Sequence, residues 1–149
     1  MRARSTSTAA MFPAILDAHL ALMPGVSELL SALEHAALPK GVATSSGRHF
    51  TQDVLGRVQL AERFLFWLTA EDVLDGKPHP EIYQKAAARL GVEPGDMVVF
   101  EDSHNGCRAA VAAGARAIAV PGAHSRHHEF PGAHWVADTL RDPRIYELL

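Results

Sequence analysis

Apolar residues in this chain recur in short blocks separated by glycine, proline and polar turns. Phe12, Ile15, Leu16, His19, Leu20 and Met23 share one helical face. That spacing predicts a helix over about residues 11–23, behind a disordered tail over 1–10. Pro24-Gly25 ends the segment, and Val26, Leu29, Leu30, Leu33 and Ala37 predict a second amphipathic helix, closed by Pro39. Gly41 to Thr44 reads as a short buried strand running into Ser45-Ser46-Gly47. Phe50, Val54 and Val58 then predict the buried stripe of a further helix. Phe64 to Thr69 predicts a strand. A loop with two prolines follows, and Pro80 opens a helix that carries Ile82, Ala86 and Leu90 on one face and stops at Gly91. Met97 to Phe100 is a continuous apolar run, the pattern of a strand buried on both faces. A helix over about Asn105 to Ala113, a strand over Ala117 to Val120, a short edge strand at Trp135 to Ala137 and a helix from Pro143 to Leu149 complete the series. Trp67 and Trp135 read as core or edge packing.

Strands alternate with helices throughout, which predicts an open α/β fold; right-handed crossovers make its sheet parallel. The 149 residues suit one domain, spanning 11–149. Apolar residues make up 48% and charged residues 21%, and the net charge of −3 provides no surface for nucleic acid. No apolar run reaches the roughly 20 residues that a membrane span needs. Cys107 is the single cysteine, so no internal disulfide forms and a cytoplasmic setting is expected. Cys107 itself reads as a small packing residue.

Chemistry enters at the ends of the predicted strands. Glu101 and Asp102 follow one strand directly, and in parallel sheets ligands bind at that edge. Two adjacent carboxylates repel unless a positive charge is near, and a hard cation such as Mg²⁺ prefers oxygen ligands. Thr44 and Ser45 end another strand, where a hydroxyl and helix-start N–H groups can hold phosphate oxygens. Lys77 lies in the loop before the Pro80 helix and can neutralise phosphate as a compact donor. Each signal alone is weak. Thr-Ser-Ser before a helix is commonly a cap, and Gly-Lys-Pro is commonly a turn. The cluster of His124, His127, His128 and His134 could bind zinc but has no cysteine beside it, and Arg126 and His104 read as solvated loop residues near the mouth of the site.

The order of these motifs resembles the haloacid dehalogenase superfamily of phosphohydrolases, in its β-phosphoglucomutase and sugar-phosphatase-like branch. The stretches that carry the resemblance are Met23-Pro24-Gly25-Val26, Val42-Ala43-Thr44-Ser45-Ser46, Gly76-Lys77-Pro78-His79-Pro80 and Val99-Phe100-Glu101-Asp102-Ser103. It implies a Rossmann-like parallel sheet flanked by helices and a Mg²⁺-dependent phosphatase or phosphomutase acting on a small phosphorylated metabolite. Thr44 and Ser45 would hold the phosphoryl group, Lys77 would steady it and the nucleophile, and Glu101 and Asp102 would hold Mg²⁺. The family's Asp-x-Asp-Gly-Thr motif, with its aspartate nucleophile and second aspartate as acid/base, has no match here. The expectation is therefore a truncated fold that starts after the central first strand and most of the cap. Asp17 would be a surface helical acid, since carboxylates are rarely buried unless paired. Without a nucleophile the chain alone would be inactive or very weak, the alternative being a non-catalytic phosphate- and Mg²⁺-binding remnant or a partner-binding domain. The strands flanking the gap would pair directly or expose their edges, favouring a homodimer or an upstream fragment that completes the sheet.

Overall fold

Four consecutive buried residues, Ala14–Asp17, form the strand at the centre of the molecule. The computed structural model describes residues 12–148, so the tail expected over 1–10 lies outside the described residues. Within them the chain builds a six-stranded sheet in the order β3-β2-β1-β4-β5-β6, parallel throughout. The strands are β1 (Ala14–Asp17), β2 (Lys40–Ala43), β3 (Trp67–Leu68), β4 (Val98–Glu101), β5 (Arg116–Ala119) and β6 (Trp135–Val136). The helices are α1 (Val26–His35), α2 (Arg48–Arg57), α3 (Glu81–Leu90), α4 (His104–Ala113) and α5 (Pro143–Tyr146).

The helix expected over 11–23 is corrected: the segment is β1 followed by a 3₁₀ turn at Ala18–Leu22. The expectation that the central strand is missing fails with it. β1 pairs with β2, Asp17 opposite Ala43, and with β4, Leu16 opposite Phe100. Neither flanking strand is left with an open inner edge, which removes the physical reason given for a dimer or a completing fragment. The cause of the misreading is burial. A strand covered on both faces shows no alternation of polar and apolar positions, so its apolar residues also satisfy a helical spacing.

The sheet separates two apolar layers. Ala14 and Leu16 face a core containing Leu29, Leu30, Leu33 and Phe100, and Ile15 faces one containing Ile82, Tyr83, Ala86 and Val99. This is the period-two geometry of a strand, realised with apolar residues on both sides. α2 also departs from its expected face. It buries Thr51 and Leu55, while Phe50 is 58% exposed. The two tryptophans lie in β3 and β6, the edge strands.

Candidate active site at the carboxyl edge of the sheet

β1, β2 and β4 all run in one direction, so Asp17, Thr44 and Glu101-Asp102 arrive at one edge. Lys77 reaches this edge from the loop before α3. Its Nζ donates to Asp17 Oδ2 at 2.7 Å, to Glu101 Oε2 at 2.5 Å and to the Ala43 carbonyl at 3.3 Å. An ammonium has three N–H groups, so all of its donors are used. Asp17 is 5% exposed and Glu101 fully buried. Buried charges of this kind persist only when paired, and the lysine supplies the pairing from 60 residues away in sequence.

The electrostatics follow from that arrangement. Burial favours the neutral form of Asp17, but Lys77 and the donors of His19 outweigh it and hold the carboxyl well below the usual carboxylate range. Burial lowers the Lys77 pKa, and the charges of Glu101 and Asp17 raise it further than burial lowers it. Glu101 is pushed up to about 7 by burial, against the opposing pull of Lys77. Glu101 Oε2 also accepts from the Tyr83 hydroxyl. Burial, reinforced by the Glu101 charge, keeps that phenol protonated well above its ordinary range. Glu101 Oε1 is turned toward Gly106 and is buried without a partner among the described residues. A Cβ at Gly106 would overlap the Glu101 carboxylate, so only glycine fits there.

Asp102 points the other way, into a cavity of about 730 Å³ that Asp17, His19, Ser45 and Lys77 also line. His104, His128 and Glu129 form part of its wall, with His104 Nδ1 bonded to the Glu129 carbonyl at 2.6 Å. Burial raises the Asp102 pKa, and the neighbouring Asp17 charge adds to the rise. His19 Nδ1 lies 3.1 Å from Asp17 Oδ1 and 3.8 Å from Asp102 Oδ2. The hydrogen bond to Asp17 raises its pKa to about 9. Thr44 is fully buried, and its Oγ1 accepts the Ser46 N–H at 3.1 Å, which leaves its O–H free to donate. Thr44, Ser45 and Lys77 share a second, smaller hollow.

The structure thus brings together Thr44, Ser45, Lys77, Glu101 and Asp102. Among the described residues, Asp17, His19 and Asp102 offer ligand atoms within 4.8 Å of one another. Glu101 stands behind them on Lys77 and Tyr83, and the imidazoles of His124, His127, His128 and His134 form no comparable group. Asp17 is the correction of greatest consequence: the acid expected on a helix surface ends the central strand. His19 and Tyr83 were also missed. One signal was available for Asp17, since Ala14-Ile15-Leu16-Asp17 is an apolar run ending in a carboxylate, as is Val98-Val99-Phe100-Glu101.

Residues 8–120 match the haloacid dehalogenase-like hydrolase family. The chain is 34% identical over 136 residues to protein CbbY of Cereibacter sphaeroides, covering 85% of this chain and 56% of CbbY. It is 40% identical over 100 residues to hexitol phosphatase B of Escherichia coli K12, covering 67% of this chain and 45% of the phosphatase. It spans about half the length of these curated relatives. A solved structure of CbbY from Rhodobacter sphaeroides in complex with phosphate superposes with a TM-score of 0.75 at 35% identity, over 80% of this chain and 55% of that one. The sheet order, the strand-end residues and these likenesses agree: the chain belongs to the haloacid dehalogenase-like hydrolase family.

Proposed function

We propose that this chain is a phosphohydrolase dependent on a divalent cation, of phosphatase or phosphomutase type, acting slowly on a small phosphorylated metabolite in the cytoplasm. The observation that carries the reading is Asp17, an ionised carboxylate at the end of the central strand, anchored by Lys77 and opening on the cavity. As a carboxylate lining the cavity, it is the group that would act as the nucleophile on phosphorus. Lys77 orients Asp17 through Oδ2 and lends its charge to the phosphoryl group. The Thr44 hydroxyl and Ser45 hold phosphoryl oxygens. The donor set fits a divalent cation: Asp17 and Asp102 would hold it, with Glu101 supporting them through Lys77. When bound, such an ion neutralises charge on the phosphoryl oxygens. Hexitol phosphatase B and a phosphate-bound CbbY among the relatives support the substrate class.

Turnover is slow in this reading because His19 stands two residues after Asp17, where the family motif has an aspartate as acid/base. The same residue favours a second reading, a non-catalytic holder of phosphate and Mg²⁺. Hydrolysis of p-nitrophenyl phosphate with Mg²⁺ tests both. The expected result is slow turnover that falls at least about 100-fold in Asp17→Asn and in Asp102→Ala. Turnover retained in Asp17→Asn overturns the first reading. Absence of turnover, with phosphate binding that Thr44→Ala weakens, selects the second.

A further inference from the structure

We propose that His19 is a cation ligand, so that Asp17, His19 and Asp102 form a nitrogen-and-oxygen site favouring borderline divalent cations, such as Zn²⁺ and Co²⁺, over Mg²⁺. The inference rests on the reading of this rim as the active site and deepens it by naming the class of metal. Its basis is position. The His19 backbone N–H donates to Asp17 Oδ1 at 2.9 Å, which sets the first turn after β1. That turn places the ring between the ends of β1 and β4, with Nδ1 3.1 Å from Asp17 and 3.8 Å from Asp102. The His19 side chain is 62% exposed, and it lines the cavity rather than packing into the core. Among the described residues, His19 is the sole ion-pair neighbour of the Asp102 carboxylate within 4 Å. One imidazole and two carboxylates, their ligand atoms mutually within 4.8 Å, are therefore assembled at the mouth of the site, and a cation would take the place of the proton between His19 Nδ1 and Asp17 Oδ1.

Donor chemistry sets the preference. Mg²⁺ takes oxygen ligands in near-ideal octahedra and keeps much of its water. Imidazole nitrogen suits Zn²⁺ and its transition-metal neighbours. An imidazole nitrogen in the donor set weakens the site for Mg²⁺ and strengthens it for those ions. Glu101 does not restore an all-oxygen set, because its carboxylate is buried on Lys77 and Tyr83.

The test is calorimetric titration of the intact, untagged chain with Zn²⁺ and with Mg²⁺, in the wild type, His19→Ala, His19→Asp and Asp102→Asn. Circular dichroism confirms that each is folded. His19→Ala is expected to weaken Zn²⁺ by about 10- to 100-fold and Mg²⁺ by less than about threefold. His19→Asp is expected to lower the ratio of Zn²⁺ to Mg²⁺ affinity at least about tenfold. Asp102→Asn should weaken both ions. In ¹⁵N spectra, Zn²⁺ should shift the ring nitrogens of His19, a readout independent of turnover. An unchanged Zn²⁺ affinity in His19→Ala, or a His19 ring that Zn²⁺ leaves unmoved, overturns the proposal. Cation binding as expected without hydrolysis of p-nitrophenyl phosphate would reject the phosphohydrolase reading and leave the site assignment standing.

Discussion

Asp17, His19 and Asp102 meet at the ends of β1 and β4, whereas Asp75, His79 and Glu81 meet in the loop leading into α3. Each group has two acids and one imidazole with ligand atoms mutually within 4.8 Å. In the loop group Glu81 has already spent both of its oxygens. Glu81 Oε1 accepts the backbone N–H groups of Leu74 and Asp75 at 3.0 and 2.9 Å, and Oε2 faces Lys85 at 3.0 Å. His79 Nδ1 accepts the Glu81 N–H at 3.1 Å. This group closes a loop whose backbone has no ladder to bond with. At the sheet edge the strands satisfy their own backbone: Asp17 takes one backbone N–H, from His19, its other oxygen takes Lys77, and both Asp17 and Asp102 line a cavity. Identical residue types therefore do structural work where the backbone lacks partners and can do chemistry where it has them.

The difference can be broken first at the two lysines. Lys77→Ala strands two buried carboxylates and should cost about 3–5 kcal/mol, lowering Tm by on the order of 10 °C in thermal unfolding. Lys85→Ala, an exposed lysine beside the half-buried Glu81, should leave Tm nearly unchanged. Equal losses would show that burial does not separate the two groups. The acids give the next contrast. Asp102→Asn should reduce hydrolysis of p-nitrophenyl phosphate by at least about 100-fold, and Glu81→Gln should preserve it, measured as kcat/KM. Tyr83→Phe sharpens the picture within the buried network. It removes the hydroxyl that Glu101 accepts from and should cost about 1–3 kcal/mol by denaturant unfolding.

The smallest effect is a pH dependence confined to the loop. The backbone N–H of Asp75 leads the donors that lower the Glu81 pKa to about 2. A depressed carboxylate stabilises the fold above its unfolded pKa, and the contribution is lost as pH falls through the folded value. The difference in Tm between wild type and Glu81→Gln should therefore be constant above about pH 4.5 and shrink toward pH 2. A difference that widens on acidification would refute the role given to Glu81.

Much of the chain was readable from residue order. The helices α1 and α3 lie where their apolar spacing places them, α4 lies within one residue of its expected bounds, and Gly91 and Gly114 end α3 and α4 with positive φ. β2, β4 and β5 follow from short apolar runs between turns. α2 was located, but its buried face was not, because Phe50 competes for burial with Thr51, whose hydroxyl satisfies the Gly47 carbonyl at 2.8 Å. β1 was misread because four buried residues carry too little pattern to separate a strand from a helix.

The residue order by itself determined an α/β chain with a hydroxyl pair, a lysine and an acidic pair after successive strands. It did so because those motifs are local, and strand ends in a parallel sheet share one edge. Only the tertiary structure decided that Asp17 ends the central strand, that Glu101 turns inward while Asp102 faces the cavity, and that His19 joins them. A buried carboxylate is tolerated only beside its counter-charge. For Asp17 and Glu101 that counter-charge is Lys77, which folding alone brings into contact with both.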